Sequence, residues 1–180
     1  GTCLRYKPAV ESLDLARRGD AAALAALLTQ APDVLMSVPH AASLLHLAVS
    51  AGRVSVVELL LGRGVDPDKP APIEPLIFVT PLCAARAKRR PEIQSLLLRR
   101  GAQEDLFTHA FLGDCQRLRQ ELIGDPTAAQ VIDPAVDALT ITPVHHAIAG
   151  GHAEAVRLLL AHAAPTNAEE GLGFRVARTL

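Results

Sequence analysis

Apolar positions along this chain fall into two alternating kinds of run, one rich in alanine and one rich in leucine, separated by glycine or polar breaks. Ser43-Leu44-Leu45-His46-Leu47-Ala48 is followed by Gly52, then by Val56-Val57 and Leu59-Leu60-Leu61, and the run stops at Gly64. Thr80-Pro81-Leu82-Cys83-Ala84-Ala85 leads through Arg89 to Ile93 and Leu96-Leu97-Leu98, stopping at Gly101. Thr142-Pro143-Val144-His145-His146-Ala147 leads through Gly151-His152 to Val156 and Leu158-Leu159-Leu160. Two degenerate copies complete the series: Leu13 to Leu28 around Gly19-Asp20, and Leu106 to Leu122 around Gly113-Asp114. The pattern predicts five helix pairs. The breaks at 19, 52, 89, 113 and 151 lie 33, 37, 24 and 38 residues apart. The longer intervals predict extended connections, and the short one a missing connection.

These residues resemble the ankyrin repeat family, whose signature is close to Thr-Pro-Leu-His-x-Ala, Gly-His, Leu-Leu-Leu and Gly-Ala in that order. The first spacing equals the period of that family. The resemblance covers nearly the whole chain, from about Val10 to Asn167, and is most specific from Thr142 to Asn167. It implies an all-α fold, an ankyrin-repeat solenoid of stacked helix-turn-helix units with projecting loops or short β-hairpins. The chain is then one domain, 1–180, with repeats near 10–42, 43–79, 80–104, 105–141 and 142–168. Residues 169–180 are expected to form a partial sixth repeat or cap, with Phe174 and Ala177 in register with Leu45 and Ala48.

Each consensus position has a physical reason. Thr80 and Thr142 are expected to cap their helices, and Ser43 likewise, because a hydroxyl can accept from the unpaired N–H groups of a first turn. Pro81 and Pro143 fit the next position, whose N–H has no helical partner. Ala48, Ala85 and Ala147 let neighbouring helices approach closely. The leucine triplets are expected to supply most of the buried apolar area, at roughly 25 cal/mol per Å². Gly64 and Gly101 can take the left-handed conformation that ends a helix. Ala163 stands where the family has glycine.

The connections differ from one another. Pro67, Pro70, Pro72 and Pro75 are expected to forbid a regular ladder through the first half of the segment after Gly64, while Leu76 to Val79 is expected as a short strand or an apolar flap. Such a run on a projecting loop is costly unless something covers it, so Ile73 and Phe78 become candidate partner contacts. Only Ala102 to Asp105 follows Gly101, which predicts a notch between the third and fourth repeats. Residues 125–141, with Pro126 and Pro134, predict another long connection.

Composition narrows the function classes. Aromatic residues make up only 3% of the 180-residue chain, so alanine and leucine must fill the interior. A formal net charge of −1 gives no global attraction to nucleic acid or an anionic membrane, so neither is an expected partner. No apolar run approaches the roughly 20 residues that span a bilayer. Cys3, Cys83 and Cys115 are widely spaced and odd in number, which argues against a disulfide framework or zinc site and for a cytoplasmic, reducing compartment.

Histidines invite a metal or catalytic reading. His46 and His145 occupy the family's Thr-Pro-Leu-His position, where the resemblance implies a structural tie between adjacent loops. His145 and His146 are adjacent on a helix and diverge by about 100°, so they cannot easily share a metal. Cys83 stands at the same position of the third repeat and is expected to be buried. Cys115 opens a second helix, where a thiol pKa can fall, but no His–Asp partner set accompanies it. No phosphate-binding loop or paired-carboxylate spacing is present. No cofactor, metal or catalytic residue is therefore expected, and an enzyme acting through Cys115 is the competing class.

The remaining signal is basic. The resemblance implies that residues just before each break face a concave groove. Those are Arg17 and Arg18, Ser50 and Ala51, Ala87 and Lys88, Phe111 and Leu112, and Ala149 and Gly150. Arg86, Lys88, Arg89 and Arg90, a basic patch at the end of the first helix of the third repeat and in its turn, lie beside Phe111 and Leu112 and join charge to large apolar side chains, as anchors of protein interfaces do. The expected function is a monomeric protein-binding scaffold or adaptor of bacterial style, whose protein partner presents an acidic surface. An immunity or inhibitor protein that neutralises a toxin or enzyme is the alternative.

Overall fold

A computed structural model describes residues 3–74, 77–135 and 140–163. Among them, ten α-helices form five antiparallel pairs. The inner layer holds α1 (Cys3–Arg18), α3 (Val38–Ala51), α5 (Pro81–Ala87), α7 (Leu106–Leu112) and α9 (Pro143–Ala149). The outer layer holds α2 (Ala21–Gln30), α4 (Val54–Gly62), α6 (Pro91–Arg99), α8 (Cys115–Gly124) and α10 (Ala153–Ala163). Each inner helix packs on the next along the whole series. In the outer layer α2 packs on α4, α4 on α6 and α8 on α10, whereas α6 and α8 have at most slight contact. The short connection over residues 102–105 thus coincides with a gap in the outer layer. The fold is the expected all-α ankyrin-repeat solenoid. The expected cap at 169–180 lies outside the described residues.

The five breaks share one backbone solution. Gly19, Gly52, Gly113 and Gly151 have φ of 87, 72, 68 and 76°, and Arg89 takes the same left-handed region at 53°. Each time, the next N–H reaches back to the carbonyl five residues earlier: Asp20 to Leu15, Arg53 to Ala48, Arg90 to Ala85, Asp114 to His109 and His152 to Ala147, at 2.8–3.1 Å. This is the helix-ending motif in which a left-handed residue lets the chain pay out its last carbonyls before turning. Arg89 carries a Cβ into it, at roughly 1–2 kcal/mol relative to a relaxed conformation.

Helix starts follow the expected chemistry in part. The Thr80 hydroxyl accepts from the Cys83 N–H at 3.2 Å, and Asp20, Asp105 and Asp114 accept from Ala23, Thr108 and Arg117. At Thr142 the neighbouring histidine reciprocates, the backbone N–H of Thr142 donating to His145 Nδ1 at 3.1 Å. Ser43 does not cap. It lies inside α3, which starts at Val38, and its hydroxyl donates to the Pro39 carbonyl at 2.9 Å. Pro39 in the first turn and the helix-forming alanines that follow carry α3 past the expected boundary.

Two apolar clusters fill the stack. One runs from Ala16 through Leu44, Leu60, Leu82 and Leu97 to Ala102 and includes Ile141. The other is smaller and joins Ala110, Leu118, Leu122, Ala129, Ala147, Ala155 and Leu159. The triplets do not bury all their leucines: Leu98 and Leu160, third in their runs, are 53% and 54% exposed. The segment after Gly64 folds as a hairpin, β1 (Ala71–Glu74) antiparallel to β2 (Ile77–Val79), with Ala71 opposite Val79 and an irregularity between Pro72 and Glu74. Pro72 therefore does not forbid the ladder. In a two-stranded ribbon each strand has an unpaired outer edge, which tolerates a residue without an N–H. Ile77 and Val79 are buried in the first cluster, so the apolar run covers its own stack.

Candidate protein interface

The face built by the break row is set out by the helix pairs themselves. Because every break closes with the same bond, equivalent residues recur at one level along the inner layer. At three of the four junctions the residue after a break lies over the preceding break. A Cβ placed on Gly19 would meet Arg53 Cδ at 2.8 Å, and one on Gly52 would meet Arg90 Cζ at 3.0 Å. Gly113 stands in the same way beneath His152. Arg53 Nε also donates to the Arg17 carbonyl at 2.9 Å, satisfying one of the acceptors left at the end of α1. At three junctions a long or flat polar side chain thus rests on a glycine that leaves room for it.

Lys88 and Arg89 are exposed in the turn after α5. Arg86, one helical turn earlier, is half-buried and engaged: its guanidinium donates to Glu104 at 2.7 Å and stands 3.6 Å from Asp114. Its charge is answered within the chain. Phe111 and Leu112 are half-buried at the end of α7 and pack against the first apolar cluster from the fourth repeat. On the hairpin, Phe78 is half-buried, and the side chain of Ile73 lies outside the described residues. Ile148, near the end of α9, is 62% exposed.

Behind this face the third and fourth repeats are joined by polar groups. The His109 ring is buried between Glu121, 2.8 Å from Nδ1, and Glu104, 3.2 Å from Nε2. Burial alone would raise the Glu104 pKa, but the hydrogen bond from His109 and the adjacent Arg86 outweigh it and hold this carboxyl below its ordinary range. The hydroxyls of Thr80 and Thr108 lie 3.4 Å apart across the same junction. An open cleft lined by Leu98, Glu104, His109, Arg117 and Glu121 marks the gap between α6 and α8.

The other titratable groups are mostly structural. His146 is buried, with Nε2 2.8 Å from Asp133 and its ring 5.1 Å from that of Phe107. His46 is buried too, and burial, then the nearby Lys88 ammonium, lower its pKa. Cys83 is fully buried, and its thiol is pushed up to about 12, chiefly by burial and then by Asp105. A thiol held protonated in that way is a poor nucleophile. Cys115 is half-buried against the second cluster. Among the described residues no three His, Cys, Asp or Glu side chains are placed to hold a metal ion. None of the described helices is long and apolar enough to cross a membrane.

Arg53 escaped the reading of the sequence, which named Arg90 only as part of the basic run. Both sit where the family pattern places histidine after glycine, so the register of the breaks contained the signal that would have found Arg53.

The family model described as Ankyrin repeat matches residues 42–71 and 141–170, the second and fifth helix pairs with the segments that follow them. No curated protein sequence matches the chain. Two family matches at homologous positions of a stack whose five breaks share one backbone geometry leave one conclusion: the chain is an ankyrin repeat protein.

Proposed function

We propose that this chain is a scaffold that holds another protein on the face where its inner helices end. Ankyrin repeats are protein–protein interaction modules, and a stack of this kind offers an extended surface rather than a reactive centre. One observation carries the assignment of the face. Lys88 and Arg89 are exposed at the same level as Phe111 and Leu112 on the adjoining inner helix, and Arg89 occupies a left-handed position that glycine fills at the other four breaks. A strained cation kept at an exposed turn is better explained by what it meets than by what it stabilises. The unbonded thiols of Cys83 and Cys115 suit a cytoplasmic location.

A partner with acidic groups around an apolar knob fits this face. Charge steers its approach, and contact with Phe111 retains it. The test is affinity capture from the native host, followed by binding kinetics with the captured protein. Phe111→Ala is expected to speed dissociation, at a cost of about 1–3 kcal/mol. Lys88→Glu combined with Arg89→Glu is expected to slow association and reduce its salt dependence. Unchanged kinetics in both, with binding abolished by substitutions on the outer helices, would overturn the assignment.

A further inference from the structure

We infer that the break row of the second and third repeats is a reading surface for an acidic protein segment in polyproline II conformation, with a carboxylate at every third residue. This rests on the proposed protein-binding role and names the chemistry of what is bound.

The cations of this row are unevenly committed. At the first repeat, Asp14 takes both Arg17 and Arg18, at 3.3 and 2.8 Å. Beyond it, Arg53, Lys88, Arg89 and Arg90 are all exposed, and among the described residues none of them pairs with a carboxylate. The carboxylates around them are occupied. Asp20 and Asp114 cap α2 and α8, and Glu104 is held by Arg86 and His109. Glu92, in the first turn of α6, is the carboxylate nearest in sequence without such a bond. The exposed row thus presents positive charge that the chain itself leaves unanswered.

Its spacing is fixed by the fold. Arg53 rests on Gly19 and Arg90 on Gly52, so the two guanidinium groups are held one repeat apart. Neighbouring packed helices stand about 8–10 Å apart. A polyproline II chain rises about 3.1 Å per residue with three residues per turn, so every third side chain lies on one side, about 9 Å from the next. A β-strand would send residues i and i+3 to opposite sides. One carboxylate can then meet Arg53 while the third residue onward meets Arg90, Lys88 and Arg89. Arginine suits this role because its planar fork can bind a carboxylate through two parallel bonds. The Arg53 guanidinium spends its Nε–H on the Arg17 carbonyl, which orients the rest of the group.

The probe is a fluorescein-labelled peptide with glutamate at every third position among prolines. Its controls are an isomer with the same glutamates clustered and a single-stranded oligothymidylate of matched charge. Anisotropy titrations at low salt are expected to give saturable binding that weakens as salt is added. The clustered isomer is expected to bind several-fold more weakly, consistent with charge-assisted bonds that need register. Arg90→Ala is expected to weaken the spaced peptide about tenfold, the cost of one charged hydrogen-bonding group. Arg53→Lys, checked for fold by circular dichroism, keeps the charge and loses the fork, and is expected to weaken binding by a smaller factor. Lys88→Ala, at an exposed turn, supplies a variant that does not depend on glycine packing and is also expected to bind less tightly.

Equal binding of both peptide isomers would overturn the register. Tighter binding of the oligothymidylate would overturn the protein ligand. Wild-type affinity in Arg90→Ala and Lys88→Ala would overturn the site. If the spaced peptide fails while Phe111→Ala still speeds release of the captured protein, the scaffold reading stands and only this inference falls.

Discussion

The first three repeats and the last two are built on different terms. In the first three, valine, leucine and alanine make one continuous apolar body from Ala16 to Ala102. In the last two, the apolar body is small and polar ties take a larger share: His146 to Asp133 in the interior, Arg119 to Glu154 between the outer helices, and His109 between Glu104 and Glu121 at the junction. The fifth repeat is one of the two that the family model matches, yet it belongs to the less apolar region. Signature residues serve the turn and the cap, whereas cohesion comes from the area each layer buries against its neighbour. The comparison therefore makes the junction of the third and fourth repeats the place where the stack should part, and the candidate face spans that junction.

The largest effect should separate the two regions outright. Leu60 and Leu159 are both fully buried, one in each cluster. Truncating either to alanine is expected to cost about 2–5 kcal/mol, against about 0.5 or less for the exposed Arg157→Ala. Native-state hydrogen exchange should show Leu159→Ala loosening α7 to α10 while α2 to α4 stay protected. Equal loss of protection in both regions would make the stack one cooperative unit and erase the distinction.

Next in size is the polar tie. Asp133→Ala leaves His146 buried without its partner and is expected to cost about 1–3 kcal/mol in urea unfolding. A cost below that of Arg157→Ala would mean that the last repeats do not lean on this pair.

A smaller effect has the opposite sign. Glycine at position 89 relieves the left-handed strain of roughly 1–2 kcal/mol, while its freer unfolded chain returns about 0.4–1. Arg89→Gly should therefore stabilise the protein by about 0.5–1 kcal/mol while weakening its partner. Destabilisation would show that Arg89 serves the fold.

The smallest effect distinguishes the regions by pH. His46, in the first region, has its pKa lowered by burial and then by Lys88, from an ordinary 6.5. The unfolded chain takes that proton first, so this contribution to stability is whole above 6.5 and is lost as the pH falls below it. Glu104, at the junction, is held below its ordinary 4.5, so its contribution survives to that value and is lost as the pH falls through the depressed one. Imidazole resonances should show His46 titrating below 6.5 and moving upward in Lys88→Met, only part of the way because burial remains. A His46 pKa unmoved by that substitution would remove Lys88 from its surroundings.

Much of the fold was legible because the breaks are a backbone requirement. Left-handed turns call for glycine, and even Arg89 could be placed by its distance from the leucine run that follows. The start of α3 was not legible. Ser43 copies the position of Thr80 and Thr142, and the proline that marks the true start lies four residues earlier. Nor was the hairpin fully legible, since four prolines read as a broken ladder until the pairing revealed an edge free to hold Pro72. The polar junction was hidden because its members are ordinary surface residues in sequence and meet only through the stacking of repeats. For the candidate face, position before each break picked out Lys88, Phe111 and Leu112, and the basic run picked out Arg89 and Arg90. That run also included Arg86, whose charge Glu104 and Asp114 absorb, and neither signal reached Arg53.

Hydrogen exchange of the chain with and without its captured partner tests most directly whether the face across the junction is the one that binds. The expected result is slowed exchange at the backbone N–H groups of Lys88 to Arg90 and of Phe111 to Asp114, with α6, α8 and α10 unchanged on their outer sides. Protection confined to those outer helices, with the break row exchanging as in the free chain, would contradict it.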